Sequence, residues 1–169
     1  MPKPTLREAL LDAGCEQLHS GGYAATGVAA IAAAAHAPKG SFYNHFRSKE
    51  ALAVEALGRY GDSRRLDLLT DPGVAPLQRI RDHLEHLRSD LAAHAYRRGC
   101  MYGNFAAEGP AGAPAVTVAV SAALERWRTL LADTIRDAQR AAEIGGDGDA
   151  DAAAQLIVDA WAGAARRAE

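Results

Sequence analysis

Apolar residues recur along most of this chain at spacings of three and four, the signature of helices that bury one face. The first such run, Thr5 to His19, carries Leu6, Ala9, Leu10, Ala13 and Leu18, with Cys15 beside them. Thr5 is placed to cap it, and Glu8, three residues on, to complete a capping box. Gly21-Gly22 ends the run, supplying a residue that takes positive φ. Tyr23 then packs back as a core aromatic. A second helix spans Gly27 to Ala34 or Ala35, with Thr26 as its N-cap and Val28, Ile31 and Ala32 on one face. After a turn at His36-Ala37, Pro38 fits the first position of a third helix, about Lys39 to Phe46. Phe42 and Phe46, four apart, anchor that helix and leave Tyr43, Asn44 and His45 outward. Ser48 caps a fourth helix that runs to about Leu69, with Leu52, Val54, Leu57 and Tyr60 on its apolar side.

The remainder repeats the pattern. A fifth helix, about Ala75 to Ala95, carries Leu77, Ile80, Leu84, Leu87 and Leu91. Arg97-Arg98-Gly99 interrupts it, and a sixth, Cys100 to Glu108, follows. A loop at residues 109 to 114 leads to a seventh helix, about Ala115 to Ala142, with Val116, Val120, Leu124, Trp127, Leu131 and Ile135. After GGDGD, residues 145 to 149, the last helix starts near Ala150 with Leu156, Ile157, Ala160, Trp161 and Ala164 on one side. Abundant alanine and few β-branched residues agree with helices throughout. The expected fold is all-α: an N-terminal three-helix helix-turn-helix domain, residues 1–48, and a C-terminal antiparallel helical bundle, residues 49–169. The helix at about 49–69 links them, and Asp71-Pro72-Gly73 just beyond it is the clearest break in the pattern.

Composition narrows the function. Apolar residues make up 49% of the 169 and charged residues 24%, a globular balance. No apolar run approaches the roughly 20 residues that span a bilayer. The N-terminal stretch has no apolar core and carries Glu8 and Asp12, so a cytoplasmic location and no membrane partner are expected. Cys15 and Cys100 are too few for a disulfide framework. Net charge is −2, yet from His36 to Lys49 the only formal charges are Lys39, Arg47 and Lys49. One positive face on a mildly acidic protein suits a DNA-facing surface, and equally an ordinary solvated face. No phosphate loop, nucleophile elbow, HExxH or paired-carboxylate motif occurs, so no enzyme and no cofactor are expected.

The motif at Thr26 to Lys49 decides between those two readings. The segments TGVxxIA, PKGSFYxHF and SKEAL resemble the N-terminal DNA-binding domain of TetR-family transcriptional regulators. Residues from about 70 onward are similar only in layout to that family's ligand-sensing half. Within them, Arg98-Gly99-Cys100-Met101-Tyr102-Gly103-Asn104 with Ala106-Ala107-Glu108 resembles a branch carrying an RGCxxGN segment, and Asp159-Ala160-Trp161-Ala162-Gly163 fits that branch. Its members answer to flavonoid-like or drug-like aromatics, or to electrophiles. The resemblance implies a homodimeric repressor that places two recognition helices in successive major grooves of a palindromic double-stranded operator, about 34–36 Å apart. A small-molecule effector then changes their separation. Relatives usually add a further helix after the eighth. Ending at Glu169 implies a smaller dimer, a truncated sequence or another dimer surface.

The expected DNA contacts are Thr26, Lys39, Gly40, Ser41, Tyr43, Asn44, His45 and Lys49. Lys39 meets phosphate or a guanine edge, and Asn44 reaches a base. The Gly40 and Ser41 N–H groups face phosphate, Tyr43 and His45 contact backbone or thymine methyl, and Thr26 and Lys49 clamp phosphates. The family places Gly-Val where this chain has His36-Ala37, which predicts a strained turn, because glycine enters the αL region freely and histidine does not. For the effector, Cys100, Met101, Asn104, Phe105, Trp127 and Trp161, with Tyr102, are open to two readings, an apolar ligand site or plain core. Cys100, at a helix start near Arg97 and Arg98, is either a reactive thiol sensing electrophiles or a buried structural cysteine. Electrophile-responsive relatives carry a lysine where Glu169 stands. His83, His86 and Asp90 fall at metal-ligand spacing but read as a solvated face, so no metal is expected. A helical interaction module without DNA binding remains the alternative from another class.

Overall fold

The structure, a computed structural model, describes residues 5–109 and 111–167. Pro110 in the expected loop and Glu169 lie outside them. Among the described residues there are eight α-helices, one 3-10 helix and no strand. They are α1 (Leu6–Ala25), α2 (Val28–Ala34), α3 (Lys39–Phe42), α4 (Lys49–Ser63), the 3-10 helix Leu66–Thr70, α5 (Pro76–Ala93), α6 (Met101–Glu108), α7 (Pro114–Arg140) and α8 (Ala150–Arg167). The periodicity predicts each α-helix and the all-α class. The capping box is formed: the Glu8 N–H donates to Thr5 Oγ1 at 3.3 Å and the Thr5 N–H to Glu8 Oε2 at 2.8 Å.

Two boundaries move for local reasons. α1 does not end at His19; it continues through a kink at Gly22, whose φ is 77° and ψ 170°. α4 stops at Ser63, short of the expected Leu69, because Arg65 adopts αL geometry with φ 52°. A non-glycine residue in that conformation cannot continue a helix, and the chain restarts as the 3-10 turn.

The chain forms two compact units, and the division is not a single cut. Unit 1 contains the residues to Gly61 together with Cys100–Ser121, and unit 2 contains Asp62–Gly99 and the residues from Ala122 onward. The boundary expected between residues 48 and 49 therefore falls inside unit 1. Packing explains why. Leu52 of α4 is fully buried against α1, where a Cβ on Gly14 would stand 2.4 Å from its Cδ2. α6 also returns to this unit: the Tyr102 hydroxyl donates to the Leu57 carbonyl at 3.1 Å, and its ring meets Tyr60 edge to face at 5.0 Å.

Unit 2 is built on Leu69, Leu87, Trp127, Leu131, Ile135, Ala154 and Val158. Arg79 pairs with Asp137 at 3.2 Å and Arg64 with Asp90 at 2.7 Å. Here α8 corrects its expected face. Ala150, Ala154, Val158 and Ala165 are buried, Ile157 and Trp161 are half-buried, and Leu156 is 69% exposed with Ala160 and Ala164 also outside. The small residues let the helix approach the core closely, which rotates Leu156 outward. His83 corrects a second expectation. It is not on a solvated face but wholly buried. His86 Nε2 lies 2.8 Å from the Ser63 carbonyl and Asp90 holds Arg64, so the three do not converge. Among the described residues no group of three or more His, Cys, Asp or Glu side chains could hold a metal ion. No described helix is long and apolar enough to cross a membrane.

Candidate nucleic-acid interface

The reader is built outward from two rings. Phe42 and Phe46 are buried, 5.6 Å apart, and the Arg7 guanidinium sits 4.8 Å over Phe46. Their burial fixes the rotation of α3, which leaves Lys39, Gly40 and Asn44 exposed, Ser41 and His45 half-buried and Tyr43 56% exposed. Regular α geometry ends at Phe42, not at the expected Phe46. The turn persists through His45 N–H and Phe46 N–H, which both donate to the Phe42 carbonyl at 3.0 and 2.9 Å. The Ser41 N–H is not aimed at an incoming phosphate as expected, because it closes on the Pro38 carbonyl at 2.9 Å.

The turn between α2 and α3 is a Schellman motif. The Ala37 N–H donates to the Ala32 carbonyl at 2.9 Å and the His36 N–H to the Ala33 carbonyl at 3.0 Å. His36 occupies the αL position with φ 53°, the strained geometry its departure from glycine predicts.

Two expected phosphate clamps do other work. Thr26 is neither the cap of α2 nor outward. Gly27 is the cap residue, while the Thr26 hydroxyl, 6% exposed, donates to the Gln17 carbonyl at 3.0 Å. Lys49 turns inward too. Its Nζ donates to the Tyr23 carbonyl at 2.8 Å and lies 4.0 Å from the Tyr23 ring centroid, a cation–π contact. Both side chains tie the helix-turn-helix to its support. Ser48 caps α4 as expected, its hydroxyl accepting the Ala51 N–H at 3.0 Å.

A third tie was not legible in the sequence. At the Gly22 kink the Tyr23 and Ala24 N–H groups are left without helical partners. The Glu108 carboxylate, at the end of α6, accepts both, at 3.1 and 2.9 Å. Gly22 is required twice over. Its φ and ψ lie in a region essentially reserved for glycine, and a Cβ there would stand 2.1 Å from Glu108 Oε1. Phe105 adds an edge-to-face contact with Tyr23 at 5.9 Å. The separation of 84 and 85 residues hides this clasp from any local pattern.

The expected effector residues separate. Cys100, Met101, Asn104 and Phe105 belong to unit 1, Trp127 and Trp161 to unit 2. Met101 and Phe105 are core, packed behind the reader. Cys100 is 3% exposed, the burial of a structural cysteine. Cys15, half-buried, has its thiol pushed up by desolvation, which keeps it protonated.

The reader lies within residues 10–56, which match the family model of bacterial regulatory proteins of the tetR family. Residues 76–169 match the model of the tetracyclin repressor-like C-terminal domain. The chain is 36% identical over 165 residues to the transcriptional regulator AcuR of Cereibacter sphaeroides, covering 96% of this chain and 75% of that protein. It is 31% identical over 170 residues to the HTH-type transcriptional repressor DhaR of a Mycobacterium species, covering 99% of this chain and 84% of that protein. A solved regulatory protein TetR from Rhodobacter sphaeroides superposes with a TM-score of 0.88 at 36% identity, over 96% of this chain and 88% of the other. The reduced form of NemR from E. coli superposes with a TM-score of 0.83 at 26% identity, over 96% and 86%. With regulators aligned along nearly its whole length, the chain belongs to the TetR family and is a DNA-binding transcriptional regulator, not an enzyme.

Proposed function

We propose that this regulator is a cytoplasmic repressor that binds a palindromic operator as a homodimer and is released by a small effector. The carrying observation is α3: buried Phe42 and Phe46 hold Lys39, Tyr43 and Asn44 outward on one turn. Lys39 is set for a phosphate or guanine contact, Asn44 for a base edge and Tyr43 for the backbone. Gly40, which carries no side chain to keep a phosphate away, and His45 complete the surface. Dimerisation is supported by the exposed Leu156, Ala160 and Ala164 of α8, an apolar stripe at a spacing of four. The RGCxxGN resemblance supports an aromatic or electrophilic effector. Burial of Cys100 favours the former.

The test is selection of bound DNA from a random library with the full chain, followed by retention measurements on the selected fragment. Lys39→Ala and Tyr43→Ala are each expected to weaken retention at least tenfold, with Lys39→Ala also lowering the salt dependence by about one phosphate contact. Unchanged retention in both variants, or a selected fragment without two-fold symmetry, refutes the proposal.

A further inference from the structure

Among the described residues, three buried side-chain polar atoms lack a hydrogen-bond partner: both ring nitrogens of His83 and the indole nitrogen of Trp127. They lie together in unit 2. The two rings meet edge to face, with centroids 5.7 Å apart and planes at 72°. His83 is 0% exposed and Trp127 5%. Leu69, Leu87 and Leu131 belong to the same buried core as Trp127. Each of these atoms loses its hydration without a well-formed hydrogen bond in return. A leucine at position 83 would fill the same core without that loss. Three such atoms on two adjacent rings therefore mark a place made to meet something polar that the chain itself does not supply.

The chemistry of the pair limits what that is. The indole offers one donor and no acceptor, and a neutral imidazole offers one of each. His83 is neutral at physiological pH, since burial drives its pKa down to about 4. The Arg65 backbone, which approaches the ring, and the Asp67 charge oppose this, while the charges of His86 and Arg64 push in the same direction. The Arg64 charge is balanced by Asp90 at 2.7 Å. An anion would find no uncompensated partner here, and a cation would face the indole N–H. What fits is an oxygen on a hydrocarbon body.

We propose that His83 and Trp127 form the polar recognition pair of an effector site in unit 2, for a small, uncharged, mainly apolar molecule bearing a carbonyl or hydroxyl oxygen. The oxygen accepts from the indole N–H. A hydroxyl also donates to the unprotonated imidazole nitrogen, and the leucines cover the hydrocarbon. This assignment rests on the effector-responsive reading above and gives it a ligand class.

Binding is tested on the full chain without DNA. Cyclohexanone, cyclohexanol, methylcyclohexane and cyclohexanecarboxylate are titrated by calorimetry and by the indole N–H resonances of ¹⁵N-tryptophan protein. The ketone and the alcohol are expected to bind about tenfold more tightly than the hydrocarbon and the carboxylate, one hydrogen bond's worth of discrimination. The resonance missing from Trp127→Phe is the one expected to shift. Trp127→Phe should lose about tenfold in ketone and alcohol affinity and His83→Leu about tenfold in alcohol affinity, while His83→Leu unfolds at no lower denaturant concentration than the parent. Equal binding of methylcyclohexane, unchanged affinity in both variants, or failure of every probe to bind overturns the assignment. So does a destabilised His83→Leu, which would make the imidazole a structural group. Retention of the selected DNA is measured on the same preparations. A parent protein that holds DNA but binds no probe refutes the effector site alone, whereas loss of DNA retention in the parent refutes the regulator reading.

Discussion

The two units differ in whether any buried polarity is left open. In unit 1 the groups around the helix junctions are closed off. Glu108 takes the two N–H groups freed at the Gly22 kink, Lys49 takes the Tyr23 carbonyl, Thr26 takes Gln17 and Tyr102 takes Leu57. In unit 2 the core keeps three polar atoms unpartnered, all on His83 and Trp127. A surface that contacts DNA gains from cross-ties that hold its helices in one geometry. Under the proposed function, a core that takes up an effector gains from polar capacity left open, at a cost in its own stability. The contrast is one of function written as hydrogen-bond accounting.

Three measurements press on it, beginning with the largest effect. Gly22→Ala should be the most damaging change in unit 1, on the order of 4 kcal/mol, combining backbone strain with loss of the Glu108 clasp. Denaturant unfolding reads the loss. Glu108→Gln, which keeps one acceptor oxygen, should fall well short of it. If Gly22→Ala is tolerated, the junction is not held as rigidly as the clasp implies.

Acid should expose the opposite property of unit 2. The folded pKa of His83 lies below its unfolded value, near 4 against 6.5. Above pH 6.5 the ring is neutral in both states and contributes no difference. As pH falls from 6.5 towards 4 the unfolded chain takes up a proton that the folded chain refuses, so stability is lost across that window, by about 3 kcal/mol at its foot. The difference between parent and His83→Leu isolates this from carboxylates that titrate nearby, such as Asp67, which its hydrogen bond with Arg65 holds below the usual range. A parent and variant with parallel pH–stability curves would remove the buried neutral histidine from the comparison.

The smallest effect sharpens unit 1 from within. His36→Gly should stabilise by about 1 kcal/mol, because glycine enters αL without the Cβ clash. Retention of DNA should survive, since the Schellman bonds are made by backbone. Thermal unfolding checks the sign.

Much of the reader was legible in the sequence because its logic is local. Phe42 and Phe46 are four apart, so one is buried where the other is, and Tyr43 and Asn44 must then face out. The Thr5–Glu8 box and the αL strain at His36 follow from residue types at fixed offsets. Other features depend on partners beyond the helical spacing of three or four. Thr26 and Lys49 carry the chemistry of phosphate clamps, but a nearby carbonyl claimed each. The face of α8 was misjudged because an alanine-rich helix offers two apolar stripes, and only packing chooses between Val158 and Leu156. The sequence pattern places His83 on a solvated face because it lies beside, not within, the leucine stripe of its own helix.

The sequence by itself determined the helices and the outward surface of α3, since periodicity, caps and turn residues act within a few positions, and its motif at Thr26 to Lys49 carried the resemblance to a class of DNA readers. The tertiary structure alone decided that α6 packs with the reader, that Glu108 completes the Gly22 kink and that His83 meets Trp127 in the core. Those contacts join residues 42 to 85 positions apart. Hydrogen bonding and burial are set by distance in space, which no local pattern encodes.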